Sequence, residues 1–333
     1  MERAVPLIGD LLAVQPALKI IVLLASKDPD IILRTVRQGA VEFLVRPFDP
    51  EQLESACKRI ASLEQATQGE PQGKVFSLFP AKGACGSSTL ASSLAQYYKR
   101  VGVKKTLLAD LDPLTGTLSF LHKLKANYSF LDVLSRISMM DADVWKGIVA
   151  QQNGLDILLA PDTVNNGVGE LTDASALVTF ARTLYEVSVI DAGSVYGDWN
   201  LTIARHSDQV LLVTTNELPA LQAAQRALSY LESQRVSNSR VRLIVNRYNK
   251  EYGLSREVIE TALHCEVFQL VPSDYEALQT ALLDGRAVPA NSPLGKSVSQ
   301  LGELLMPRAA KSEQARTRTS PLSGLLSLFS RTR

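Results

Sequence analysis

Short apolar runs of strand length alternate with helical patterns along most of the chain. Apolar residues fill both faces of these runs, which is typical of parallel strands covered by helices on both sides. The pattern predicts an α/β fold with a doubly wound, mainly parallel sheet. The predicted strands are Val75–Phe79, Thr106–Asp110, Leu155–Ala160, Val187–Asp191, Val210–Thr214, Val241–Asn246 and Val267–Val271.

The beginning of the chain shows the same alternation on a smaller scale. Strands are predicted at 19–25 and 41–45, and each is followed by a helix, at 28–38 and 50–63. Two strand and helix pairs amount to about half of a doubly wound sheet. We therefore expect a small partial domain at residues 1–65.

Composition marks two further boundaries. Residues 66–74, ATQGEPQGK, have the Gly, Pro and Gln content of a linker. A globular domain is then expected at 75–307, followed by a polar and basic tail at 308–333 that is expected to be largely disordered. In residues 321–333 a set of apolar side chains falls on one helical face next to two arginines. This segment therefore contacts a membrane surface peripherally, docks on a partner as a helix, or stays unstructured. The set is Leu322, Leu325, Leu326 and Phe329, with Arg331 and Arg333.

Charge and composition exclude several classes of protein. From residue 307 onwards there are six basic residues and one acidic residue, which leaves 29 basic and 33 acidic residues in the rest of the chain. A mildly acidic body is a poor non-specific nucleic-acid binder, so no specific nucleic-acid partner is expected. Apolar runs are too short for a spanning helix and no secretion signal is present, so a cytoplasmic protein is expected, with contact at the inner membrane or cell pole as the alternative. The cysteines and histidines are too scattered for disulfides or zinc: Cys57, Cys85, Cys265, His122, His206 and His264.

The most informative segment joins a buried strand to a helix through a turn of small residues, Lys82–Thr89. Backbone amides of such a turn, with the positive end of the helix dipole, form a cradle for phosphate oxygens. The general pattern G-x-x-x-x-G-K-[ST] is met only in part, because Ser87 stands where the lysine belongs.

The turn resembles the deviant P-loop K-G-G-x-G-K-[ST]-T of the ParA/MinD family of dimeric ATPases. Lys82 takes the place of the signature lysine, and Ser87 replaces the second one. Loss of the second lysine with retention of the first resembles the CpaE/TadZ pilus-assembly branch, whose members carry a receiver-like domain in front. The remaining loop positions follow the family, with alanine for the second glycine and cysteine in the variable slot: Gly83, Ala84, Cys85, Gly86, Ser88 and Thr89.

Four further segments resemble family motifs in the family's order, each at the end of a predicted strand. They resemble the first switch, the Walker B strand with the second switch, the strand-end asparagine that contacts adenine, and the P-x-D turn that closes over the base. In this sequence they place Asp110 and Asp112, then Asp191, then Asn246 and Arg247, then Pro272 and Asp274.

The resemblance implies ATP and Mg²⁺ as cofactors and an ATP-dependent homodimer. Ser88, Asp110 and Asp191 would hold Mg²⁺, and Asp112 would orient the attacking water. Lys82 would reach the phosphates of the partner subunit. Loop residues 83–89 would bind the nucleotide together with Asn246, Arg247, Pro272 and Asp274. A serine hydroxyl cannot replace the ammonium of the missing lysine, so we expect weak or absent hydrolysis with nucleotide binding retained.

Residues 19–63 resemble the second half of a response-regulator receiver. Leu24 aligns with the receiver's hydroxyl residue and Arg46 with its lysine, and the phosphoacceptor strand has no counterpart, so docking or dimerisation is expected instead of phosphotransfer. The exposed edge of such a partial sheet is covered by residues 1–18, by a partner, or by sequence upstream of Met1.

The combined expectation is a nucleotide-responsive localisation or assembly factor for a Tad/Flp-type pilus or a related secretion system, with proteins of that machinery as partners. Three alternatives stay open: a non-catalytic scaffold, a DNA-partition ATPase, and a regulator of division or flagellar placement. The mildly acidic body argues against DNA partition, whereas composition does not separate the others.

Overall fold

The computed structural model describes residues 73–307, apart from 126, 164–170 and 195, together with short stretches of residues 1–57. The chain forms two compact units, Met1–Gln72 and Gly73–Arg333. The predicted tail at 308–333, and residues 66–72 of the predicted linker, lie outside the described residues. None of the described helices is long and apolar enough to cross a membrane.

The first unit contains two parallel strands, β1 (Ile21–Leu24) and β2 (Glu42–Val45). Both were predicted from the sequence, and each is slightly shorter than its apolar run. Residues 52–57 are helical, within the second predicted helix. Buried Leu24, Leu44 and Ala56 belong to the core of this unit.

The second unit is built on a sheet with the strand order β10-β9-β8-β3-β7-β4-β6-β5. Its strands are parallel except for β5, which runs antiparallel to β6 at one edge. All seven strands predicted in this region are confirmed, with small differences at their ends. The bounds are β3 (Lys74–Pro80), β4 (Thr106–Asp110), β5 (Ala150–Gln152), β6 (Leu155–Leu158), β7 (Val187–Asp191), β8 (Gln209–Thr214), β9 (Val241–Tyr248) and β10 (Val267–Pro272).

Helices connect the strands of this sheet, and two more helices follow β10, the last of which packs against α1. They are α1 (Ser87–Arg100), α2 (Leu118–His122), α3 (Phe130–Ser135), α4 (Ala142–Ile148), α5 (Ser175–Leu184), α6 (Asp198–Arg205), α7 (Leu218–Ser233), α8 (Arg256–Leu263), α9 (Tyr275–Asp284) and α10 (Pro293–Leu305).

Strand β3 shows why the sheet is buried on both faces. Phe76 and Leu78 pack into one hydrophobic cluster, while Val75 and Phe79 pack into the other. Side chains alternate between the faces of a strand, so a run with apolar side chains on both faces needs a helical layer on each side.

The chain order around β3 fixes where a ligand can bind. From β3 the chain crosses to β4 on one side, whereas β8 pairs with β3 on the other side. A change of direction of this kind opens a crevice at the carboxyl ends of the strands, where open α/β sheets bind their ligands.

Candidate functional site

A loop at the carboxyl end of β3 leads into α1 and leaves the first turn of that helix open. Gly86 precedes α1 with φ 91°, and no side chain caps the helix or places an acid in its first turn. The first N–H groups of an α-helix have no partner within the helix. Together with the helix dipole, these free donors make the start of α1 suitable for a phosphate group.

The loop is held by a hydrogen bond from a distant strand. The buried Asn246 side chain, near the end of β9, donates from Nδ2 to the carbonyl oxygen of Cys85 at 2.8 Å. A Cβ atom on Gly86 would collide with this same amide nitrogen. Asn246 thus fixes the shape of the loop, while the adenine contact expected from the family resemblance stays a prediction.

Two buried carboxylates lie opposite each other where β4 and β7 end. Asp110 and Asp191 are paired across the two strands and are almost inaccessible to solvent. Asp110 accepts hydrogen bonds from the backbone N–H groups of Leu118 and Asp112, at 3.0 and 3.2 Å. Among the described residues Asp191 Oδ1 has no hydrogen-bond partner.

Burial shifts both carboxylates towards the neutral form. It raises the pKa of Asp110 to about 8, helped by the charge of Asp191 and opposed by the N–H groups of Leu118 and Asp112. It also raises the pKa of Asp191 to about 6, where the Ser88 hydroxyl is the largest opposing influence. A cation bound here would favour the charged form of both groups.

Next to the loop is a cavity of about 340 Å³, bounded by α1, the ends of β9 and β10, and α9. Gly86 and Thr89 line it on the loop side. Its other walls combine apolar side chains with a few polar groups, as in pockets for small ligands. These walls are Leu90, Asn246, Arg247, Pro272, Ser273, Asp274, Tyr275, Leu278, Gln279, Leu282 and Leu294.

Comparison with curated proteins finds similarity to the division-site protein MinD. The septum site-determining protein MinD of Thermotoga maritima is 27% identical over 241 residues, which cover 69% of this chain and 86% of that protein. MinD of Synechocystis is 26% identical over 208 residues, 59% of this chain and 75% of the relative. No family model matches the chain.

Solved structures give the same result for the fold. A ParA family ATPase from Chlorobium tepidum superposes with a TM-score of 0.64 at 24% identity, covering 69% of this chain and 98% of that one. The chain has the ParA/MinD fold. MinD from Pyrococcus horikoshii, solved with Mg-ADP, gives a TM-score of 0.58 at 18% identity and covers 71% of this chain and 96% of its own. An ATP complex of McdA from Cyanothece gives 0.58 at 15% identity, with 71% and 97% covered.

Within this ParA/MinD fold, the loop after β4 is organised by Asp112. Its Oδ1 accepts from the N–H groups of Leu114 and Thr115 at 2.9 and 2.8 Å, and its Oδ2 accepts from the Thr115 hydroxyl at 2.6 Å. Gly193, after β7, lies so close that a Cβ atom there would be 2.6 Å from Asp112 Cγ. The two segments that resemble the switches therefore meet at this carboxylate.

The two lysine positions of the ParA/MinD P-loop differ sharply here. Lys82 is exposed, whereas Ser87, at the first position of α1, is buried. The action of Lys82 across a dimer stays a prediction. The neutral side chain at Ser87 leaves the start of α1 without the cation that the family pattern places there.

The residues present fit a magnesium ion. Asp191 offers a buried carboxylate oxygen without a partner, and Asp110 and Ser88 lie beside it. Magnesium prefers oxygen ligands and keeps several waters or phosphate oxygens of its substrate, so it does not need a complete protein cage. No group of three or more His, Cys, Asp or Glu that could hold a metal is found in the described part of the chain.

Asp274 has a structural role at the mouth of the cavity. Its carboxylate caps α9 by accepting from the N–H of Ala277 at 3.4 Å, and it accepts from the N–H of Leu294, in the first turn of α10, at 3.1 Å. One side chain thus positions two helices that wall the cavity. Asp274 therefore acts as the N-cap of α9, while its direct contact with a base stays a prediction.

One cysteine and one histidine of this unit, Cys85 and His122, are buried packing residues. Cys85 is buried, and burial raises the pKa of its thiol, so it is a poor nucleophile. Buried His122 lies between the Ser92 hydroxyl at 2.9 Å and the Gln152 amide at 2.5 Å, and burial lowers its pKa. Cys57, Cys85 and Cys265 are free thiols, as expected.

Sequence reasoning missed the apolar wall of the cavity. Leu278 and Leu282 lie one turn apart on α9, and both face the cavity. Their spacing of four residues, directly after the P-x-D turn, was the available signal.

Proposed function

We propose that this chain binds ATP and Mg²⁺ and acts as a nucleotide-responsive positioning protein of the ParA/MinD type. The observation that carries the proposal is the arrangement around Gly86. An uncapped helix start for phosphates, a cavity of about 340 Å³ for the base and sugar, and the buried Asp191 Oδ1, which has no hydrogen-bond partner among the described residues, all lie at the carboxyl ends of the strands.

The chain's own groups would divide the work between them. The N–H groups at the start of α1 would bind the phosphates, and Ser88 with Asp191 would hold Mg²⁺, which neutralises charge on the phosphates. Asp112 would orient the attacking water, and Lys82 would contact the nucleotide of the partner subunit in an ATP-dependent dimer. Ser87 supplies no charge, so hydrolysis would be slow or absent while binding persists.

We further propose that the protein positions or assembles a Tad/Flp-type pilus or a related secretion machine. Two features support this assignment: serine at position 87 beside a retained Lys82, and a preceding unit whose parallel β1 and β2 agree with a receiver-like module. Binding of nucleotide would change the dimer, and the dimer would recruit proteins of that machinery. Residues 321–333 would hold the complex peripherally at the membrane.

A second candidate is placement of the division site, which the similarity to the two MinD proteins favours. MinD of Aquifex aeolicus has been solved in complex with MinC, so a protein partner of that kind would be expected here. The two functions differ in partners and share the nucleotide chemistry. Deleting the gene in its host separates them, because loss of pili with normal septa supports the pilus role and misplaced septa support the division role.

The nucleotide proposal is tested by thermal unfolding with and without Mg-ATP. A ligand at about 100 times its Kd stabilises the folded state by about 2.7 kcal/mol, which raises the midpoint by several degrees. Measuring the mass in solution alongside would show whether the dimer depends on nucleotide. An unchanged midpoint with millimolar Mg-ATP would leave the non-catalytic scaffold as the better description.

A further inference from the structure

With serine in place of the P-loop lysine, this site carries an excess of negative charge. Three carboxylates, Asp110, Asp112 and Asp191, lie at the ends of β4 and β7. A bound triphosphate would add further negative charge, and Ser87 offers only a hydroxyl. Another cation close to the loop would therefore change affinity considerably.

Arg247 is the basic residue among those that line the cavity. Gly86 is the last loop residue before α1. The guanidinium Nη2 of Arg247 lies 3.9 Å from the position that a Cβ atom on Gly86 would occupy. The side chain is exposed, and no hydrogen bond or ion pair to it is found within the described residues. The acid that lines the same cavity, Asp274, is already engaged by the N–H groups of Ala277 and Leu294.

The backbone directs this arginine in an unusual way. Arg247 has φ 52°, a left-handed conformation that is uncommon for residues with a side chain. The pairing of β9 with β10 shifts register here, since Leu270 is opposite Val245 while Pro272 is opposite Tyr248. Bulges of this kind re-aim side chains and are frequent beside functional sites.

We infer that Arg247 takes over part of the charge that Ser87 lacks, by contacting the phosphates of the bound nucleotide. Its planar guanidinium pairs well with phosphate oxygens and is always charged. This inference rests on the proposed nucleotide binding. The competing role is stacking of the guanidinium on the base. Stacking predicts that loss of Arg247 weakens the binding of adenosine and of ATP equally.

Affinity for adenosine and for Mg-ATP separates these roles in the full-length protein. Replacing Arg247→Gln removes the charge and keeps a side chain of similar length. If Arg247 contacts phosphate, Mg-ATP should bind about tenfold to a hundredfold more weakly, while adenosine should bind as before. Arg247→Lys keeps the charge but loses the planar set of guanidinium N–H donors. Its Mg-ATP affinity should lie between the affinities of Arg247→Gln and the unmodified protein.

Arg235→Gln is the matched control. Arg235 is also exposed and has a left-handed backbone conformation, with φ 60°. It follows α7 and precedes β9, so it lies at the amino ends of the strands, opposite the site. This variant should bind both ligands like the unmodified protein. Melting temperatures without ligand verify that all variants are folded.

The dependence of ATP affinity on salt gives a second readout. It should be weaker in Arg247→Gln than in the unmodified protein, because one charge contact has been removed. Equal losses for adenosine and ATP would overturn the inference in favour of base stacking. Unchanged ATP affinity in Arg247→Gln would overturn it while leaving nucleotide binding intact. Absence of ATP binding in the unmodified protein would overturn both proposals.

Discussion

The hydrogen bond between Asn246 and Cys85 makes the loop before α1 depend on β9. Replacing Asn246→Ala removes the donor and leaves the Cys85 carbonyl without it. A buried polar group left unpaired costs about 1 to 3 kcal/mol. For a domain of this size that corresponds to a drop in melting temperature of about 2 to 12 °C.

Nucleotide binding should suffer as well, because the ligand would have to restore the shape of the loop. If the whole cost falls on binding, Mg-ATP affinity drops by up to about a hundredfold. Isothermal titration calorimetry on the purified full-length chain measures this loss directly, and thermal unfolding without ligand measures the loss of stability.

Asn216→Ala provides the matched control for this prediction. Asn216 is also buried after a strand, and its amide donates to the carbonyls of Asn249 and Tyr252 at 2.9 Å instead of to the loop before α1. It should lower the melting temperature by a similar amount and leave ATP affinity unchanged. If Asn246→Ala bound ATP as tightly as Asn216→Ala, the argument that this hydrogen bond shapes the site would be refuted.

Three further predictions concern the same site. Ser87→Lys should tighten Mg-ATP binding by about tenfold to a hundredfold and increase hydrolysis, because a charge-assisted contact contributes about 1.5 to 3 kcal/mol. Equal hydrolysis rates of this variant and the unmodified protein in a phosphate-release assay would contradict this. Gly86→Ala should abolish ATP binding, because the added Cβ atom collides with Asn246. Gly102→Ala is the control: this glycine lies at the other end of α1 with φ 96° and open space around it, so the change should lower stability and leave ATP affinity unchanged. Equal ATP affinities of the two variants in calorimetry would speak against the loop geometry. The pKa values of Asp110 and Asp191 are raised to about 8 and about 6, so the stability that these groups contribute is present at acid pH and is lost as pH rises through those values. Without ligand, the melting temperature of the unmodified protein should therefore fall between about pH 5 and pH 8 by more than that of Asp110→Asn. Parallel curves of melting temperature against pH for the two proteins would exclude this.

The strands could be predicted from sequence because the sheet is buried on both faces. Runs such as 187–191 and 210–214 are short and mainly apolar, which is typical of strands buried inside a sheet. Strand β5 was missed because Ala150, Gln151 and Gln152 carry almost no hydrophobic signal and pair only at an edge. Edge pairing of this kind is set by the neighbouring strand and not by the residues themselves.

The site was predicted unevenly for a related reason. Asp110 and Asp191, the last residues of β4 and β7, were recognisable because the segments that contain them resemble family motifs. The partner of Asn246 was not, because the hydrogen bond joins residues 161 positions apart and its acceptor is a backbone carbonyl. The left-handed backbone at Arg247 also leaves no mark in the sequence.

The same long separation has a consequence during synthesis. When Cys85 leaves the ribosome, the side chain that will hold its carbonyl has yet to be translated, and β8 and β9 must both join the sheet first. The ATP binding that we propose therefore cannot protect a half-made chain against misfolding. Its stabilising effect should begin only after the residues around Asn246 have emerged.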